Sequence, residues 1–171
     1  LVLEGHTSDV NLLSFDRDGK RLYTGSWDDL TFREWDAITG KPGESMTGVA
    51  PYAVGFTADG QLRVAGPAEN GMEDVIVRAA WDTVPIFHHE MVMRFRGPFP
   101  VISASGRFVA GEGSDQYIRV WDVDNETQVF EIKDEAASDD QNQFTGANCL
   151  ALSRDGGLLA VGTHEGRVHV W

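Results

Sequence analysis

The chain alternates short apolar runs with turn residues along its length. VNLLSF (10–15) leads into the turn Asp18-Gly19, followed by RLYTG (21–25) and LTFREW (30–35). RFVAG (107–111) and YIRVW (117–121) repeat the arrangement further on. β-Branched and aromatic residues fill these runs and Asp, Gly and Ser separate them, so the runs are predicted to be strands. No stretch carries a long 3.6-residue apolar period with capping residues, so helices are not predicted. In YIRVW, Ile118 and Val120 face one side, and Arg119 and Trp121 the other, because successive strand residues alternate. Bulky residues on both sides predict sheets covered on both faces, as in radially stacked blades.

Three markers recur in one phase. Trp-Asp stands at Trp35-Asp36, Trp81-Asp82 and Trp121-Asp122, with Trp171 last; the tryptophan intervals are 46, 40 and 50 residues. Asp18-Gly19, Asp59-Gly60, Ser105-Gly106 and Asp155-Gly156 each lie between two apolar runs, as hairpin turns do. From the glycine of that pair to the tryptophan is 16, 21, 15 and 15 residues. Gly25, Gly66, Gly111 and Gly162 close the run after each turn. A period in this range means an array of similar units.

The segments LEGHTSDV and DRDGKRLYTGSWDDLTFREWDAITGK, then DQYIRVWDV and DGGLLAVGTHEGRVHVW, are similar to the WD40-repeat β-propeller family. The resemblance implies an all-β fold: four diverged repeats as four-stranded antiparallel blades, forming about half of a larger ring. It divides residues 1–171 into an outer strand at 1–5, blade 1 at about 8–48, blade 2 at about 50–96, blade 3 at about 98–133 and blade 4 at about 147–171. Blade 4 then needs an outer strand from elsewhere. Leu1–Glu4 is expected to pair with Arg167–Trp171, in a longer ring or between copies, which removes an exposed edge.

The resemblance also implies a buried hydrogen-bond relay of His6, Thr24, Asp29 and Trp35 in the first unit. A buried carboxylate is costly unless satisfied, and imidazole, hydroxyl and indole N–H can satisfy it. Asp29 is therefore read as structural. The other units depart from the pattern: Asp115 has Ala110 at the hydroxyl position, Glu165 has Val161 there, and Val75 replaces the acid.

Matched by position to the family's partner-facing end, the candidate binding residues are Asn11, Asp28, Tyr52, Arg96, Ser114, Asn148 and His164. Two long connections, GPAENGMED (66–74) and the acidic KDEAASDDQNQFTG (133–146), are expected at that same end. The function implied is a non-catalytic protein–protein interaction scaffold, or the sensor module of a larger protein. The alternative is an enzyme, a hydrolase or lyase with its active site in the channel.

Charge changes the choice of partner. With 27 acids against 14 bases the net charge is −13, and no basic cluster is visible, which argues against nucleic acid. A basic segment of a protein partner suits this surface better. No apolar run reaches the ~18 residues a membrane span needs. No basic-then-apolar leader opens the chain, and Leu1 stands first, so the sequence is expected to start inside a longer gene product. Cys149 is the single cysteine; a reducing, cytoplasmic setting is expected, with Cys149 as inert core in the run NCLAL.

Motifs for chemistry fail. There is no phosphate-binding Gly-rich loop with its lysine, and GEG (111–113) reads as part of a strand connection. In HHE (88–90), only His88 and Glu90 share a strand face, too few for a zinc site. DVDNET (122–127) lacks the glycine and glutamate of a calcium loop. No cofactor, metal or catalytic residue is assigned.

Overall fold

The computed structural model of the chain describes residues 1–67, 74–79, 81, 85–90, 100–113, 115–134 and 146–171. Among these there is no helix. The first sheet holds β1 (Leu12–Phe15), β2 (Arg21–Ser26), β3 (Thr31–Asp36) and β4 (Pro42–Thr47). The second holds β5 (Ala53–Phe56), β6 (Leu62–Pro67), β7 (Asp74–Ala79) and β8 (Pro85–Glu90). The third holds β9 (Val101–Ile102), β10 (Phe108–Glu112), β11 (Tyr117–Asp122) and β12 (Thr127–Lys133). The fourth holds β13 (Ala147–Leu152), β14 (Leu159–Thr163) and β15 (Val168–Val170). Each sheet is an antiparallel meander in which sequence neighbours pair. We call these sheets blades 1 to 4.

The turn chemistry explains the repetition. Gly19, Gly60, Gly106 and Gly156 all take positive φ, between 71° and 87°, in the hairpin joining the first two strands of each blade. A side chain at this position meets the left-handed penalty, which is why a glycine marks every unit.

The register separates two faces in every blade. In blade 1, Ser14 pairs with Tyr23, and Phe15 with Leu22, so each pair presents to a different side. The face with Tyr23 and Phe32 meets the face of blade 2 with Leu62 and Val64. Ala65 and Val77 on the far side of blade 2 meet Ile102, Val109 and Trp121 of blade 3. Ala110, Ile118 and Val120 of blade 3 meet Leu150, Leu159 and Val161 of blade 4. Each blade therefore has a forward face toward the next blade and a rear face toward the one before. Burial of these three interfaces is the main stabilising term.

Trp81 departs from its counterparts. Trp35 and Trp121 lie within the third strands of their blades, opposite Leu22 and Val109. Trp81 lies beyond the end of β7, at φ 70°, yet its ring still packs 5.4 Å from Phe32 of blade 1. The long second unit moves the tryptophan off the strand while its ring keeps the same rear-face contact.

One expectation needs correction. Cys149 is exposed, not core. A bulge at the start of β13 and the strand alternation turn Leu150 to blade 3 and Cys149 to the uncovered side. Among the described residues of this chain, Leu1–Glu4 forms no strand and β15 pairs with β14. Residues 1–5 instead lie on the rear side of blade 1: Gly5 sits against the Trp35 ring, and Leu1 and Leu3 lie over Gly40. Among the described residues the four sheets do not close into a ring.

Candidate functional site: the connection end of the blades

The strands begin β1, β5 and β13 at the end where β2 turns into β3, so residues 11, 27–30, 52, 148 and 164 gather at one end of the blades. The connections 68–73 and 135–145 leave from this end too, and their structure lies outside the described residues, as do Arg96 and Ser114.

Blade 1 is fastened here by its polar side chains. His6 Nδ1 lies 3.0 Å from Asp29 Oδ2, and His6 Nε2 lies 2.7 Å from Thr24 Oγ1. Trp35 Nε1 donates to the same Thr24 hydroxyl at 2.8 Å. One proton arrangement satisfies all of them: Trp35 N–H to Thr24, Thr24 O–H to His6 Nε2, and His6 Nδ1–H to Asp29. Thr31 also belongs to this network. Its hydroxyl donates to Asp29 Oδ1 at 2.6 Å, its backbone N–H reaches the same oxygen at 2.9 Å, and Thr7 N–H donates to Oδ2 at 2.9 Å. Burial would raise the pKa of Asp29. The hydrogen bonds from Thr31, Thr7 and His6 outweigh it and hold the carboxyl well below its usual range. Asp29 thus ties the chain before β1 to the turn between β2 and β3.

The equivalent acids do something else. Asp115 turns to Arg119, accepting at 2.9 Å and 2.5 Å, and Arg119 also donates to Glu131 at 2.7 Å. This charge-assisted fork lowers the Asp115 pKa and raises that of Arg119. Glu165 accepts from Gly146 N–H at a long 3.4 Å.

Beside the relay lies an aromatic pair that crosses from blade 1 to blade 2. Trp27 and Tyr52 meet edge to face at 5.4 Å, an interplanar angle of 85°. Trp27 Nε1 donates to Pro51 O at 2.7 Å, and its backbone N–H to Asn11 Oδ1 at 3.0 Å. Burial raises the pKa of the Tyr52 hydroxyl. Asn11 and Asp28 are exposed around this pair; Asn148 and His164 are exposed on blade 4, where His164 N–H donates to Gly146 O at 3.0 Å. Candidate residues of blades 1 and 2 therefore cluster round one aromatic contact, and those of blade 4 form a separate group. Trp27 was missed from the sequence; its place directly before Asp28 in the strand turn was the available signal. No group of three or more His, Cys, Asp or Glu able to hold a metal is present among the described residues.

Comparison with known proteins agrees with this architecture. Residues 1–36 and 139–171 match the WD40 family, WD domain, G-beta repeat. The chain is 27% identical to a guanine nucleotide-binding protein subunit beta of Arabidopsis thaliana over 171 residues, 99% of this chain and 33% of that protein. It is 24% identical to protein groucho of Drosophila melanogaster over 155 residues, 84% of this chain and 20% of that protein. The chain thus spans about a third and a fifth of these two relatives. Repeated turn glycines and two-faced antiparallel sheets agree with these matches: the chain is similar to WD40-repeat proteins, and its sheets have the form of β-propeller blades.

Proposed function

We propose that the chain is a non-catalytic interaction platform that holds a protein or peptide partner at the connection end of its blades. The observation that carries this is the Trp27–Tyr52 pair, held by Pro51 O and Asn11 Oδ1 between two blades. Rigid aromatic rings bound at little entropic cost are what interface anchors require. WD40 repeats in both relatives support a protein partner in general. The net charge of −13 favours a partner segment carrying Lys or Arg, whose encounter it speeds. Asp28, exposed next to Trp27, is placed to meet such a cation.

The test is affinity capture with three forms of the protein: unchanged, Trp27→Ala with Tyr52→Ala, and Lys20→Ala with Gln61→Ala at the opposite hairpin end. Partners lost from the first double variant and kept by the second, with folding verified by circular dichroism, mark the connection end. The reverse pattern places the partner at the hairpin end.

A further inference from the structure

Leu30 holds a conformation that leucine avoids. It ends the turn of residues 27–30 between β2 and β3, outside the paired strands, at φ 54° and 46% exposed. The same step of the same turn has positive φ in blades 3 and 4, where Gln116 stands at 68° and Gly166 at 77°. A side chain on Gly166 would meet no atom within 4 Å, so this step of the turn points away from the fold. Glycine or asparagine would relieve the left-handed penalty, and a polar side chain would suit the solvent. Leucine keeps the penalty and leaves 46% of its surface in water, so folding does not account for it.

The backbone around Leu30 is fixed on both sides. Asp29 N–H donates to Ser26 Oγ at 3.2 Å, and Thr31 N–H donates to Asp29 Oδ1 at 2.9 Å. Leu30 O accepts from Val49 N–H at 3.1 Å. An apolar side chain held this way loses little freedom when it makes a contact. Exposed Asp28 lies in the same turn, and Trp27 of that turn meets Tyr52 of blade 2. An acid, an aromatic pair and an apolar tip therefore stand together at the connection end.

We propose that Leu30 is the apolar anchor of the interaction platform, and that it selects an extended partner segment with an apolar side chain two residues from a Lys or Arg. This rests on the platform reading above and names the segment that the platform takes. The cation meets Asp28 beside the aromatic pair, where the charge of −13 draws it. The apolar side chain packs on Leu30. The ends of a four-residue turn lie within about 7 Å, and alternate residues of an extended segment stand on one side roughly 7 Å apart, so one segment reaches both.

Selection of random linear peptides displayed on phage against the unchanged chain tests this, with the selected peptides then measured by fluorescence anisotropy. The expected sequences carry Lys or Arg with Leu, Ile, Met or Phe two positions away. Leu30→Asn is expected to weaken their binding about tenfold while its urea midpoint stays level or rises, and Leu30→Met to keep most of the affinity. Replacing the apolar residue of the peptide by Ala is expected to cost about tenfold on the unchanged chain and almost nothing on Leu30→Asn, as for two groups in contact. Asp28→Asn is expected to weaken binding and to flatten its salt dependence. Selected peptides without this pattern, additive effects of the two apolar changes, or a urea midpoint lowered by Leu30→Asn overturn the role of Leu30. Binding indifferent to Asp28→Asn overturns the cation contact. In those cases the platform itself stands if Trp27→Ala with Tyr52→Ala abolishes binding. Binding that survives this double variant, or no selected peptide at all, overturns the platform and the role of Leu30 together.

Discussion

Gly55 of blade 2 lies against the carbonyl oxygen of Ser103 in blade 3, so closely that a methyl group on it would stand 2.4 Å from that oxygen. The same methyl would stand 2.9 Å from the Gly106 Cα. Both neighbours are backbone and have no rotamer by which to yield. The inner strand of one blade therefore seats directly on the hairpin of the next, and the absence of a side chain sets their separation.

Gly55→Ala is expected to destabilise the protein by about 1–3 kcal/mol, through overpacking at this interface. Gly60→Asn serves as the comparison. Gly60 has open space around it at φ 87°, a conformation Asn tolerates, so its cost is expected to be smaller. Urea melts of the two variants rank them; an equal loss removes the close approach as the cause.

Asp29→Ala strands the Thr7 and Thr31 N–H groups, the Thr31 hydroxyl and His6. The expected loss is about 1–3 kcal/mol. Asp115→Ala is expected to cost under about 1 kcal/mol, since Asp115 is half exposed and its partner Arg119 keeps Glu131. Denaturant midpoints compare the two, and a larger loss at Asp115 contradicts the role given to the His6–Asp29 network.

The Asp29 carboxyl titrates below its ordinary 3.8 in the folded chain. A depressed folded-state pKa stabilises above the unfolded value and loses that contribution as pH falls through the folded one. The difference in stability between the wild type and Asp29→Asn is therefore expected to hold from pH 7 to about 5 and to shrink below about 4. Melts at pH 7, 5 and 3 measure it; a difference that grows toward pH 3 reverses the sign.

Arg63 spans blades 2 and 3, donating to Gly106 O at 2.9 Å and to Asp124 at 2.7 Å. Its side chain is 14% exposed and that of Asp124 is 48%. Arg63→Ala is expected to cost about 2–3 kcal/mol, since it removes a buried stem and two charge-assisted bonds. Asp124→Ala is expected to cost under about 1 kcal/mol. A double-mutant cycle gives the coupling, and a cost for Asp124→Ala equal to that of Arg63→Ala would shift the weight from the carbonyl to the ion pair.

The strands, their hairpin turns and the two-sided packing of β11 were legible in the sequence because they rest on local rules. Alternation sends Ile118 and Val120 one way and Trp121 the other, and the turn needs a residue that accepts positive φ. Those rules hold wherever the strand sits. What a face meets is not local. Cys149 reads as core in NCLAL, yet its exposure depends on whether another blade covers that side, and a one-residue bulge in β13 helps choose the side. The contacts of Arg17 and Arg63 with the next blade, the Trp27–Tyr52 pair and the packing of Trp81 on Phe32 all join residues from different blades. Their partners lie 25 to 61 residues away along the chain, so no periodicity within one unit encodes them. They exist only once apolar burial has stacked the sheets and fixed how far apart they stand.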